Sequence, residues 1–249
     1  MAQNRHFCSN SYLNVYESAS TNSNISTQLL YSEKFNVIKR NKDFLKIKTD
    51  FDNYIGFIKV GSFNKVLNKT HKICVLKSKI YSKPKSKSST KKYLPFSSEI
   101  EILEKKNNFV KFEKNKWISF NEIENIKKQN KDFTKIFKLF LNCKYKWGGK
   151  SFDGIDCSAL LQIFYKFNNK FFPRDTIDQV KIKKGIVRKK IFKKGDIIFW
   201  KGHVAICLNS KNLIHAYGPK KKVLIMPINK TIKLIEKTAN LKVAKVISI

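Results

Sequence analysis

The sequence predicts an α+β domain preceded by two small all-β barrels, and three observations carry that prediction. Residues 9 to about 126 alternate apolar and polar side chains over short runs and show little helical spacing. Within that stretch a weak repeat returns after about 65 residues. Beyond Glu124 the apolar spacing becomes helical and then strand-like again. The predicted divisions are residues 9–66, 70–126 and 130–249.

The first barrel is read from Phe35-Asn36-Val37-Ile38, Phe44-Leu45-Lys46-Ile47 and Tyr54-Ile55-Gly56-Phe57-Ile58, whose side chains alternate as a strand requires. Its echo runs from Tyr16, Ser32-Glu33 and Phe44 to Ile47 onto Tyr81, Ser98-Glu99 and Phe109 to Phe112, with Gly56-Phe57-Ile58 answered by Lys116-Trp117-Ile118. Residues 82–89 form a flexible, charged loop inside the second barrel. Phe133, Ile136, Phe137, Phe140 and Leu141 then have helical spacing. A second helix opens at Cys157, after the turn Asp153-Gly154-Ile155-Asp156, with Ala159, Leu160, Ile163, Phe164 and Phe167 on its apolar face. It ends at Asn168-Asn169-Lys170, and residues 196–200, 203–208, 213–217 and 223–226 read as strands.

Composition narrows the function. The chain has 249 residues, 42% of them apolar and 20 of them Phe, enough to build real cores and unlike a disordered protein. No apolar run approaches the roughly 18 residues of a membrane span, and the first ten residues lack the apolar core of a secretory signal, so a cytoplasmic location is expected. The five cysteines are scattered and form no C-x-x-C pair, which argues against a disulfide framework and a zinc site; no metal and no cofactor is expected. The formal charge is +34, yet only Arg5, Arg40, Arg174 and Arg188 among the 52 basic residues are arginine. Lysine spread along a chain lacks the planar fork that reads phosphates, so no nucleic-acid partner is expected. A positive field does speed the arrival of an anionic substrate. Of only seven acidic residues after Lys127, five (Asp153, Asp156, Asp175, Asp178, Asp196) fall in the motif segments.

Acyl transfer by a cysteine needs a sulfur nucleophile, a base, a group that orients the base, and donors for the oxyanion. Cys157 stands at a helix start, where unpaired N–H groups favour the thiolate. His203 heads a strand after Lys201-Gly202, and His215 lies twelve positions on, across a turn. Two strand residues share a face across a hairpin of this spacing only when the loop has an odd number of residues, so a loop of three or five is predicted. His215 then fixes the tautomer of His203. His6 and His71 have no such context.

The ordered set Tyr145-Lys146-Trp147-Gly148-Gly149, Gly154-Ile155-Asp156-Cys157-Ser158, Pro173-Arg174-Asp175 with Gln179, Gly195-Asp196 through His203-Val204-Ala205-Ile206, and Ile214-His215-Ala216 resembles the NlpC-type cysteine peptidases of bacterial cell-wall metabolism. The resemblance implies a papain-like catalytic domain with a triad of Cys157, His203 and His215. With two bacterial SH3-like domains ahead of it, the chain resembles the γ-D-glutamyl-diamino acid endopeptidases, which cut murein peptides. That implies a pocket for the free amino group of an N-terminal L-Ala, formed by Asp156, Ser158, Arg174, Asp175 and Tyr54. Asp156 also reads as a plain helix N-cap, and the two roles are compatible. Cys157 N–H or Ser158 N–H is expected in the oxyanion hole. The family has Gly where this chain has Ala159, which puts the fine geometry of the helix start in question. The expected protein is a monomeric cytoplasmic enzyme of murein peptide recycling, with a murein peptide as partner and no membrane. Two other readings stay open: a peptidase or amidase on intact wall, and a non-catalytic basic binding module.

Overall fold

The computed structural model describes residues 5–61, 63, 68–187 and 189–248. The predicted boundary at residue 66, the first four residues and Arg188 lie outside the described residues. The chain divides into two units: a β unit of residues up to 130 with 148–152 and 166–171, and a second unit of residues 131–147, 153–165 and 172–249.

The β unit opens with β1 (Arg5–Phe7), β2 (Tyr12–Tyr16), β3 (Ile25–Leu30), β4 (Lys34–Asn41), β5 (Phe44–Thr49) and β6 (Ile55–Lys59), paired in the order β1-β4-β5-β6-β2-β3. Leu29, Phe35, Ile47 and Ile58 alternate inward and are fully buried in its core. There follow β7 (His71–Ile73), β8 (Lys77–Tyr81), β9 (Ser89–Pro95), β10 (Glu99–Ile100), β11 (Glu104–Lys106), β12 (Phe109–Glu113), β13 (Lys116–Ser119) and β14 (Ile123–Asn125). Here the orders are β11-β12-β13-β8-β9 and β10-β7-β14, so the strand sequence of the first sheet recurs. Ile73, Ile80, Leu94, Val110 and Ile118 form a second core. The repeat is offset by one residue from the expected alignment at one point. Ser32 and Ser97, with φ of 69° and 67°, occupy matching left-handed turn positions, so Ser32 answers Ser97 rather than Ser98. The loop at residues 82–89 is tied by Ser88 Oγ, which donates to the carbonyls of Lys83 and Lys85.

A buried charge cluster also lies in the β unit. Glu33, 5% exposed, receives both carboxylate contacts of Lys150 Nζ at 3.0 Å and one from Lys166 Nζ at 3.4 Å. The two ammonium groups hold the Glu33 carboxyl below its usual range against the desolvation that opposes them, and Glu33 and Glu99 in turn raise Lys166 against its own desolvation.

The second unit holds α1 (Phe133–Leu139), capped by Asp132, whose side chain accepts from Thr134 N–H. After the two short strands β15 (Lys150–Ser151), which belongs to the β unit, and β16 (Gly154–Ile155), helix α2 (Cys157–Phe167) begins where Asp156 accepts the Ala159 N–H at 2.8 Å. It stops at the predicted loop, where Asn169 takes a left-handed φ of 55°. Helix α3 (Thr176–Gln179) is a single turn. The sheet contains β17 (Asp196–Trp200), β18 (His203–Cys207), β19 (Asn212–Tyr217), β20 (Lys222–Pro227) and β21 (Lys245–Ser248), in the order β20-β19-β18-β17-β21, all antiparallel. Ile197, Ile198, Val204, Ile206 and Ile214 are sealed, each contributing about 1.5–3 kcal/mol by burial. Helix α4 (Ile228–Ala239) and β21 were not anticipated from the sequence. α4 carries Ile228, Thr231 and Ile235 inward, a face that its lysine-rich outer side hides from a simple reading. Among the described residues no helix is long and apolar enough to cross a membrane.

Candidate active site

Two hairpins set the histidines. Trp200 pairs with His203 across Lys201 and Gly202, and Gly202 has a φ of +74° with open space where a Cβ would stand. Glycine is needed there for the backbone conformation alone. Next, Cys207 pairs with Leu213 and Leu208 N–H donates to Asn212 O, which leaves residues 209–211 as the turn. The turn has an odd length, as the sharing of a face demands. Asn209 Oδ1 holds it by accepting from the N–H groups of Lys211 and Asn212, both at 2.8 Å.

In consequence His203 and His215 meet: His203 Nε2 and His215 Nδ1 are 3.0 Å apart. His215 stacks on Tyr217, with ring centroids 4.8 Å apart, and its Nε2 lies 3.4 Å from Met226 Sδ. Burial lowers both imidazoles, His203 to about 4 and His215, which also feels His203, to about 3.

Cys157 is 6% exposed in the first turn of α2, and its sulfur takes hydrogen bonds from the N–H groups of Val204 and Ser158. The sulfur therefore sits beside the residue that follows His203. Burial, reinforced by Asp156, pushes the thiol up to about 12. Desolvation here opposes the thiolate that the helix start favours.

On the other side of Cys157 three of the expected pocket residues form one buried cluster. Arg174 grips both oxygens of Asp156, through Nη1 to Oδ1 at 3.0 Å and through Nη2 to Oδ2, and Nη1 also donates to Ser158 Oγ at 2.8 Å. Ser158 Oγ donates to Asp156 Oδ1 at 3.1 Å. Arg174 thus forms a bidentate fork with a carboxylate of the protein itself. Asp175, half-buried, takes the N-cap position of α3. Tyr54 belongs to the β unit, where its N–H donates to Thr49 Oγ1 at 2.8 Å, while the other site residues belong to the second unit.

A cavity of about 590 Å³ opens beside His203, bordered by Tyr145, Lys201, Tyr217, Lys220, Leu234 and Leu241. Its opening on the histidine provides room for a reacting group.

Residues 142–238 match the model of the NlpC/P60 family, and residues 11–63 match that of the bacterial SH3 domain. The chain carries an NlpC/P60 domain and a bacterial SH3 domain. It is similar to a gamma-D-glutamyl-L-lysine dipeptidyl-peptidase of Bacillus subtilis, 26% identical over 238 residues, which are 85% of this chain and 79% of that one. A protein of the same name from Bacillus cereus is 36% identical over 107 residues, 39% of this chain and 32% of that relative. The crystal structure of an NlpC/P60 family protein from Bacillus cereus superposes with a TM-score of 0.81 at 19% identity, covering 97% of this chain and 98% of the other, so the fold is shared.

Within the NlpC/P60 domain two side chains carry more than their motifs announced. The Tyr145 phenol is pushed up by burial and by Cys157 and Asp156, so it remains an O–H donor. Gln179 Nε2 donates to the carbonyls of Ser158 and Pro173, both at 2.9 Å, tying the start of α2 to the segment bearing Arg174. Both stand in the recognised motif segments, but only their three-dimensional neighbours give them these tasks.

Proposed function

We propose that this chain is a cysteine peptidase hydrolysing the bond between D-γ-glutamate and a diamino acid in peptidoglycan peptides with a free N-terminal L-Ala. The observation that carries the reading is the 3.0 Å contact between His203 and His215, in the same unit as Cys157 at the start of α2. Because thiol and imidazole are both neutral at rest, His203 takes the thiol proton as the sulfur attacks the carbonyl, and returns it to the leaving amine. His215 holds the His203 ring through that step. Cys157 N–H and the Tyr145 hydroxyl are the donors assigned to the oxyanion. Asp156, Ser158, Arg174 and Asp175 are assigned to the amino end of the peptide, and the family resemblance adds Tyr54.

The names of the Bacillus relatives support this substrate class. Recycling of released peptides in the cytoplasm and a second SH3-like domain at residues 70–126 are parts of the same proposal; cell fractionation tests the location. The recurring strand order supports the second barrel. The deciding assay follows L-Ala-γ-D-Glu-L-Lys and its diaminopimelate counterpart by mass spectrometry, each with and without N-acetylation. Release of L-Ala-γ-D-Glu from the free-amine peptides alone is expected, lost in Cys157→Ser and with a raised KM in Tyr54→Ala. Equal cleavage of the acetylated peptides would sink the free-amine pocket.

A further inference from the structure

The contact between the two histidines continues to Met226, at the edge of the sheet. Met226 lies on β20 and pairs with Leu213 of β19, two residues before His215. Its thioether sulfur is 3.4 Å from His215 Nε2. A thioether carries no hydrogen and only accepts, so the proton of that contact belongs to the imidazole. With its proton on Nε2, neutral His215 has a lone pair on Nδ1. The 3.0 Å contact to His203 Nε2 then has only one sense: His203 donates and His215 accepts. Neutral His203 has one proton, so its Nδ1 keeps the lone pair that a base requires. The opposite chain, with His215 donating from Nδ1, would protonate His203 on Nδ1 and leave no base.

We propose that Met226 is a positioning residue that sets the tautomer of both histidines through the His215 Nε2–H···Sδ contact. The inference rests on the reading of Cys157 and His203 as nucleophile and base. A thioether is a weak acceptor, but the competing state sets the His215 Nε2 lone pair against the lone pairs of the thioether with no proton between them, and that asymmetry selects the tautomer. The half-buried setting of Met226 among Leu224, Ile228 and Ile235 also suits an apolar side chain better than a carboxylate, which would draw a positive charge onto His215.

The test measures the 15N shifts of histidine-labelled protein together with peptide cleavage. Wild type is expected to show Nε2–H on both His203 and His215. Met226→Leu keeps the volume and removes the acceptor; it is expected to move the His215 proton to Nδ1 and to lower kcat on the order of 10- to 100-fold with little change in KM. Met226→Gln offers a carbonyl acceptor and is expected to restore both the Nε2–H pattern and most of kcat. Unchanged tautomers in Met226→Leu would overturn the proposal, whether or not kcat falls, because a fall without a tautomer change is a packing effect. Failure of Met226→Gln to recover the pattern would overturn it as well. The nitrogen spectra need no substrate, so a wild type that cleaves none of the peptides refutes the substrate reading and leaves the tautomer result to stand by itself.

Discussion

The Glu33 cluster of the β unit and the Cys157, His203 and His215 set of the NlpC/P60 domain are both built from buried or half-buried titratable side chains, and they take opposite charge states. Glu33 stays ionised because two ammonium groups stand within 3.4 Å of it. The histidines stay neutral because His203 meets another imidazole, and His215 meets that imidazole and a thioether, in place of a carboxylate. Burial penalises charge in both places; the partner decides whether the charge survives. The β unit fixes its charges and gains a rigid contact. The NlpC/P60 domain withholds charge, so protons remain available to move.

Several substitutions separate the two behaviours. Glu33→Ala strands Lys150 and Lys166 in a dry site, and urea denaturation should show a loss of about 3–5 kcal/mol, whereas Cys157→Ala leaves stability nearly unchanged. His203→Ala should lower kcat by roughly 10²- to 10⁴-fold in the peptide assay while the denaturation midpoint holds, since no buried charge is orphaned. The pH dependence of stability divides the two regions again. Folding holds His203 and His215 at about 4 and about 3, below their ordinary 6.5, so their contribution is complete above about pH 6.5 and is lost as pH falls toward 4 and then 3. Glu33, held below 4.5, loses its contribution only under more acid conditions. His203→Asn combined with His215→Asn should therefore flatten the stability profile between about pH 6.5 and 4.5 and leave the steeper acid limb. The smallest effect is expected at Ala159, whose N–H is held by Asp156: Ala159→Gly should cost about 1 kcal/mol in thermal unfolding, with kcat changed little.

The sequence made one of these regions far easier to read than the other. Cys157, His203 and His215 could be singled out because helix-start chemistry and strand alternation act over a few residues, and the odd length of the turn followed from parity, which left three or five residues open. The β strands of residues 9 to about 126 were legible for the same local reason. The Glu33 cluster was hidden: Lys150 is 117 residues away, and in a chain with so much lysine nothing local distinguishes Lys72, Lys150 and Lys166, buried among the described residues, from the more exposed lysines. The burial that opposes the Cys157 thiolate was hidden as well, because a helix terminus can be seen in a sequence and the depth of burial cannot. Helix α4 and β21 escaped because their inward residues are few and are interrupted by lysine.

The turn at residues 209–211 has a consequence for how such a domain can vary. Adding or deleting a single residue there would turn His215 to the opposite face of the sheet and part it from His203, while a change of two would restore the facing. Length variation in this hairpin is therefore quantised: lineages that retain the chemistry can inherit insertions at this point only in even steps.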